Sequence, residues 1–359
     1  MEKFSFIIHP LSAKRDIARK YPIAKYVPVP LLEMALRYKS PMDVSHITGV
    51  KSITGAEAEG WFVGCPLTPK QLVNLPLDEV YAKIIKTAKI AEGHGAKIIG
   101  LGAFTSVVGD GGITIAKNVN IAVTTGNSYT VATAIQGAQQ AAEIMGIDPA
   151  KAHVAIVGAT GSIGKTCAQI FAKTSDTVTL IGRSKDRLDD FASELSQTAK
   201  ASVTYTTDVE SGIKDADIVI TVSSAVDAII EPHFIKSGAV VCDVARPRDV
   251  SVRVQQERDD VLVIEGGVVE VPGENLNFNF NFGFPPKTAY ACMSETIMLA
   301  LDGRYESFTL GKDVSVEQVE EITRIANKHG FKLAGFRSFE KAVTKERIEE
   351  IRKNAERRK

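Results

Sequence analysis

Short apolar runs alternate with amphipathic stretches along most of the chain, and this alternation predicts its architecture. Val154-Ala155-Ile156-Val157, Val178-Thr179-Leu180-Ile181, Ala216-Asp217-Ile218-Val219-Ile220-Thr221-Val222, Ala239-Val240-Val241-Cys242-Asp243-Val244 and Val261-Leu262-Val263-Ile264 suit buried strands in length. The segments between them read as helices or crossovers, so this half predicts a doubly wound parallel α/β sheet. Upstream, Val80, Ile84, Ala88 and Ala91 recur at helical spacing over 77–91, with the lysines on the other face. Strands are expected over 96–102 and 119–123. A long Ala/Gln-rich helix is expected over about 129–145. These predict a second α/β domain.

Between the first of those strands and its helix stands Gly158-Ala159-Thr160-Gly161-Ser162-Ile163-Gly164. A buried strand, a glycine turn and a helix opening on it place backbone N–H groups and the helix dipole where a pyrophosphate binds. The spacing is G-x-x-G-x-x-G and departs from G-x-G-x-x-G, so the flanking strand order carries the assignment to a Rossmann-like nucleotide fold. The next strand ends in Gly182-Arg183-Ser184-Lys185. No acid is there to bond a ribose 2′-hydroxyl, whereas Arg183 beside Ser184 suits a 2′-phosphate, which favours NADPH over NADH. Gly266 and Gly267, at the end of the last strand, let backbone approach the cofactor.

Several other stretches admit two roles. Phe104, Thr105 and Ser106 follow a strand and can meet a ligand or simply form the turn. Asn127, in Thr124-Thr125-Gly126-Asn127-Ser128, can bind a ligand or cap the long helix. The phenylalanines of 275–284 alternate with polar residues, as in a core-packed strand or the wall of an apolar substrate channel.

The 359 residues hold 43 basic and 43 acidic side chains, so no global charge favours nucleic acid or a membrane surface. The N-terminal apolar run is short and poor in basic residues, and no stretch of about 18 apolar residues occurs, so a cytoplasmic protein without a membrane span is expected. Cys65, Cys167, Cys242 and Cys292 form neither a disulfide framework nor a metal set. Cys167 and Cys242 suit packing, while Cys292 lies where Pro285, Pro286 and Thr288 announce a helix. A helix N-terminus stabilises a thiolate, and Lys287 adds to that effect.

Several blocks in this order resemble the acyl-(acyl-carrier-protein) reductases, the cyanobacterial type that forms fatty aldehydes. They are Leu101-Gly102-Ala103-Phe104-Thr105-Ser106, Thr124-Thr125-Gly126-Asn127-Ser128-Tyr129-Thr130, the glycine turn, Gly266-Gly267-Val268-Val269-Glu270, Ala291-Cys292 and Lys328-His329-Gly330-Phe331. The resemblance covers about 4–336, differs most in the first 60 residues, and marks a divergent member. It implies an enzyme in which Cys292 accepts the acyl group from an acyl carrier protein or CoA thioester and NADPH reduces it to the aldehyde. Phe104, Thr105, Ser106 and Asn127 are then candidates for the substrate and oxyanion site. Gly158, Thr160, Gly161, Ser162, Ile163, Gly164, Arg183, Ser184, Gly266 and Gly267 are candidates for the cofactor, and no metal is implied. The expected order is an N-terminal α/β substrate domain (1–128), a linking helix (129–150), the NADPH domain (151–267), a segment carrying the cysteine (268–336) and a charged helical tail (337–359). A shikimate or quinate type dehydrogenase and a non-catalytic NADPH-binding regulator share the cofactor features and are the competing readings.

Overall fold

Each of the five apolar runs of the second half forms a strand, and a sixth joins them. The computed structural model describes residues 1–281 and 283–358; Phe282 and Lys359 lie outside the described residues, as do the side chains of Arg19 and Lys20. The six strands are β6 (His153–Val157), β7 (Thr177–Ile181), β8 (Ser202–Thr206), β9 (Ile218–Thr221), β10 (Val240–Asp243) and β11 (Leu262–Glu265). They pair in parallel in the order β11-β10-β9-β6-β7-β8. The order reverses between β6 and β9, the switch point where open α/β sheets bind ligands. Ala155, Val157, Val219, Val241 and Val263 face one side of the sheet, and Val154, Ile156, Ile220, Cys242 and Ile264 face the other. Both faces are therefore covered, which explains the near-continuous apolar runs. The second core includes Phe171, which is fully buried; burying such a side chain is worth about 1.5–3 kcal/mol.

A separate sheet is built from β1 (Glu2–Ile8), β2 (Met42–Lys51), β3 (Glu57–Gly64), β4 (Ile98–Leu101) and β5 (Ala122–Thr124) in the order β2-β3-β1-β4-β5. Only the β2–β3 pair is antiparallel. The helix Leu77–Gly93 buries Val80, Ile84, Ala88 and Ala91, the residues its periodicity selects. β4 is short and fully buried, and it delivers Ala103–Ser106 at its C-terminal end.

The chain divides into two units that are discontinuous in sequence. One comprises 1–126, 270–312 and 322–332, and the other 127–269, 313–321 and 333–359. This differs from the five consecutive segments expected from the sequence. The helix Asn127–Ile144 is a core element of the second unit, with Val131, Ala134, Ala138 and Ala141 packed beside β6, β9 and β10 residues. The segment 268–336 is shared between the units. The charged tail is not merely a solvated helix, because Ile348, Ile351 and Ala355 of Lys345–Arg357 are buried. Arg358 ties its end to Asp259 at 2.6 Å.

Among its described residues, the alternating phenylalanine stretch forms no regular strand. Asn277 exchanges backbone hydrogen bonds with Thr48, and Ser45 Oγ donates to the Phe278 carbonyl at 2.9 Å, so the segment lies along the edge strand β2. Phe278 is buried beside Phe62 of β3, with ring centroids 6.1 Å apart. Its role there is to pack the sheet and cover an edge. Phe282, the next member of the alternation, lies outside the described residues.

Candidate active site

The four cysteines fall into two environments. Cys65, Cys167 and Cys242 are fully buried. Loss of solvation pushes the Cys65 and Cys167 thiols up to about 12, and the Cys242 thiol also rises. Cys292 is partly exposed. It is the second residue of the helix Ala291–Leu301, whose N-cap, Tyr290, makes no side-chain capping bond. The segment Thr288–Tyr290 is extended, so the helix announced by Pro285 and Thr288 starts at Ala291. The cysteine is thereby placed in the first turn, where the helix dipole favours an anion.

Three features of the first unit seat this helix. Gly100, inside β4, leaves room for Thr296: a Cβ on Gly100 would stand 2.1 Å from Thr296 Oγ1. Gly126 has φ +74°, and a Cβ there would stand 2.3 Å from Cys292 Cα and 2.4 Å from Cys292 Cβ. The backbone after β5 therefore lies directly against the cysteine, an approach only glycine permits. Glu295, fully buried one turn further on, accepts hydrogen bonds from Thr124 Oγ1 at 2.5 Å and Thr309 Oγ1 at 2.9 Å. Thr125 adds two bonds to the Thr309 carbonyl, from its N–H at 2.9 Å and its Oγ1 at 3.0 Å. The Thr124–Gly126 loop, the 309 segment and the cysteine helix are thus joined by a buried polar network, in which each bond counts for more than at the surface.

Ala103–Ser106 forms a single 3-10 turn at the end of β4, with Phe104, Thr105 and Ser106 buried. The Thr105 hydroxyl donates to the Gly102 carbonyl at 2.7 Å and the Ser106 hydroxyl to the Ala103 carbonyl at 2.6 Å, so both hydroxyl protons close the turn. The Phe104 N–H donates to His9 Nε2 at 3.2 Å, and His9 Nδ1 lies 3.2 Å from the Pro10 carbonyl. This pattern requires the neutral Nδ1–H tautomer, and burial lowers the His9 pKa to about 4. His329 is buried between Ser52 Oγ (2.8 Å from Nδ1) and Asp302 Oδ1 (2.9 Å from Nε2), anchoring the β2–β3 turn.

In the second unit the glycine turn has the geometry of an anion cradle. Gly158 has φ +86°, and its Cβ would stand 2.9 Å from the Val222 carbonyl oxygen beyond β9. A Cβ on Gly164 would stand 2.3 Å from the Gly158 carbonyl oxygen. The helix Ser162–Thr174 starts at Gly161 with no side-chain cap, and Gly161 is exposed. An uncapped helix start at the switch point fits a dinucleotide pyrophosphate. Asn127 Nδ2 donates to Ser162 Oγ at 3.4 Å, bringing two predicted residues together. Gly182 lies near Thr160, its Cβ position being 3.6 Å from Thr160 Oγ1. Beyond it Arg183 is exposed, and Ser184 caps the helix Lys185–Ser196. Gly267 is left-handed at φ +77°, and Gly266 makes room for Val244.

Four further residues act here without having been singled out from sequence. Arg187 Nη2 donates to the Thr160 carbonyl at 2.8 Å, crossing from the second helix to the glycine turn. The buried Asp249 accepts from Thr221 Oγ1 (2.5 Å), Ser223 N–H (2.9 Å) and Ser223 Oγ (2.6 Å), and so fixes the loop after β9 that borders Gly158. Gly126 and Glu295 are the others. Glu295 had a visible signal, as the one charged residue in the helix from Ala291 to Leu301. Asp249 had none, since its partners come from a different strand end.

Residues 139–265 match the Shikimate / quinate 5-dehydrogenase family. Among curated proteins, the chain is 30% identical to "Aminotransferase PigE" of a Serratia strain over 96% of its own length, and it spans 41% of that protein's length. It is 27% identical to the "Long-chain acyl-[acyl-carrier-protein] reductase" of Synechococcus elongatus over 89% of this chain and 95% of that one. Among solved structures, L-tryptophan dehydrogenase from Nostoc punctiforme aligns over 100% of this chain and 89% of its own, at 11% identity and a TM-score of 0.43. No helix among the described residues is long and apolar enough to cross a membrane.

The thiol environments predict selective alkylation. At pH 8 a thiol of pKa about 12 is ionised to roughly one part in ten thousand, so iodoacetamide should add once to the native protein, at Cys292. Cys65, Cys167 and Cys242 should react only after unfolding, as peptide mapping by mass spectrometry will show. Native labelling of Cys65 at a comparable rate would contradict this assignment.

Proposed function

The chain is a divergent member of the long-chain acyl-(acyl-carrier-protein) reductase family, and from that premise we propose that it reduces a fatty acyl thioester to an aldehyde through an acyl-enzyme on Cys292. The observation that carries this reading is the partly exposed Cys292 in the first turn of a helix, pressed against the Gly126 backbone. The Cys292 thiolate attacks the carbonyl carbon of an acyl carrier protein or CoA thioester. A new C–S bond forms, the bond to the carrier sulfur breaks, and the carrier thiolate leaves and takes up a proton. A reduced nicotinamide dinucleotide, held at the Gly158–Gly164 turn, would supply the hydride for reduction of the Cys292 acyl-enzyme to a thiohemiacetal. Its collapse releases aldehyde and restores the thiolate.

The developing oxyanion needs donors. The first-turn N–H groups of Ala291–Leu301 are the primary choice, because Thr105 and Ser106 already give their hydroxyl protons to carbonyls. Asn127, which follows Gly126 in the chain and carries a second amide N–H, remains a donor in this scheme. Phe104, buried within the Ala103–Ser106 turn, is assigned to the apolar acyl side.

The cofactor is NADPH in this reading. Gly158, Thr160, Gly161, Ser162, Ile163 and Gly164 would hold the pyrophosphate, Gly266 and Gly267 would let backbone approach the cofactor, and Arg183 with Ser184 would take the 2′-phosphate. A dehydrogenase of the shikimate or quinate type is less well supported, because that match is confined to 139–265 whereas the reductase relative spans both units.

Intact mass separates the readings. Mixed with palmitoyl-CoA or palmitoyl acyl carrier protein and no NADPH, the wild type should gain one acyl group, and Cys292→Ala should gain none. A dehydrogenase or a non-catalytic regulator would bind cofactor without any adduct. For the cofactor, Arg183→Ala should weaken NADPH binding about tenfold or more and leave NADH nearly unchanged, as read by fluorescence titration. Equal losses for both would contradict the 2′-phosphate assignment.

A further inference from the structure

The first unit carries an apolar surface that its own core does not use. After β1 the chain forms three short helical pieces, Ala13–Lys20, Pro22–Tyr26 and Val29–Tyr38. They enclose a small core of Ala13, Ala18, Ala24, Leu32 and Leu36. On the helix Val29–Tyr38, Leu32 and Leu36 point into that core, while Leu31, Met34 and Tyr38 are exposed. At 100° per residue those three fall within a sector about 60° wide on the opposite side, so the helix is apolar on both faces. Ile23 and Tyr26, three apart on the 3-10 piece, are also exposed, and Tyr26 at 86% and Tyr38 at 78% are nearly as open as in an extended chain.

The face is held in place. Arg37 makes a two-pronged pair with Glu79 at 2.8 and 2.7 Å, and Lys83 Nζ caps the helix end on the Arg37 and Lys39 carbonyls at 2.7 and 2.9 Å. Gln71 Nε2 donates to the Glu33 carbonyl at 2.7 Å. Arg37, the cation of this helix, is therefore paired with Glu79. Within 13–39 there are seven basic residues against Asp16 and Glu33, in a chain whose formal charge is zero. Lys14, Lys25 and Lys39 are exposed.

We propose that this segment docks on the surface of an anionic lipid bilayer. An apolar centre with tyrosines and a surplus of lysine and arginine is the composition that seats in the headgroup boundary, where the apolar side chains enter and the cations meet lipid phosphate. A second copy of the chain would bring two basic segments together, which like charge opposes. An acidic protein would pair with cations, yet the exposed centre of Val29–Tyr38 presents Leu31, Met34 and Tyr38 and no charge. The inference goes beyond the proposed reaction and stands independently of it.

Flotation of the full chain with phosphatidylcholine/phosphatidylglycerol vesicles tests it, with pure phosphatidylcholine vesicles as the comparison. The wild type should float with the anionic vesicles and much less with the neutral ones, and added salt should weaken the binding. The variant I23Q/L31Q/M34Q changes only exposed side chains and should lose about tenfold or more of the affinity, with alkylation of Cys292 unchanged. V73Q, an exposed apolar position elsewhere, should bind as wild type. The proposal is overturned if the wild type does not float with anionic vesicles, or if the triple variant floats equally well. It is also overturned if the triple variant instead abolishes a dimer, or the binding of acyl carrier protein, with no lipid binding in the wild type. Because the readout is lipid binding, loss of the Cys292 chemistry and failure of docking give different results.

Discussion

The approach of the Gly126 backbone to Cys292 is the contact on which the first unit's candidate chemistry depends. It sets the cysteine in the first turn of its helix at the C-terminal end of β5, and it is possible because residue 126 has no side chain and a left-handed φ. Gly100 makes an equivalent allowance one turn along, under Thr296. Glu295 then fastens the arrangement through Thr124 and Thr309. Two glycines and one buried acid thus convert an ordinary helix packed on a sheet into one whose N-terminus carries a presented thiol. Burial of the other three cysteines sharpens the contrast, because desolvation holds those thiols protonated.

The second unit applies the same physics to a different ligand. Its sheet order places the glycine turn at the switch point, and the helix after it starts without a side-chain cap. An uncapped helix N-terminus is costly when buried and useful when an anion can satisfy it. The helix that carries Cys292 also starts without a side-chain cap, so in the first unit such a terminus is paired with a cysteine and in the second with a glycine cradle. Asp249 and Arg187 support the cradle from outside, by fixing the loop after β9 and by holding the Thr160 carbonyl.

Much of this was legible in the sequence because it rests on local rules. The five apolar runs, the glycine turn and the amphipathic helix over 77–91 follow from periodicity and from the special backbone needs of glycine. Cys292 was legible as a helix-start cysteine. The seating of that helix was not, because Gly126 and Glu295 act through contacts across about 170 residues of chain. Thr105 and Ser106 show the opposite difficulty: their residue types suggested ligand donors, and local turn closure claims their protons. The domain order was read as consecutive because composition has no marker for a chain that leaves a unit and returns. The tail reads from the sequence as a charged helix, while Ile348 and Ile351, at helical spacing, place it in a core.

The central claim is that an acyl group on Cys292 lies on the path to aldehyde. A single-turnover chase tests this most directly: acyl-enzyme formed from a labelled thioester is freed of excess substrate and then given NADPH. The account predicts that the label leaves Cys292 as aldehyde, in an amount equal to the acyl-enzyme consumed. Release of the label as fatty acid, or an acyl-enzyme unchanged by NADPH while added thioester is still reduced, would contradict it.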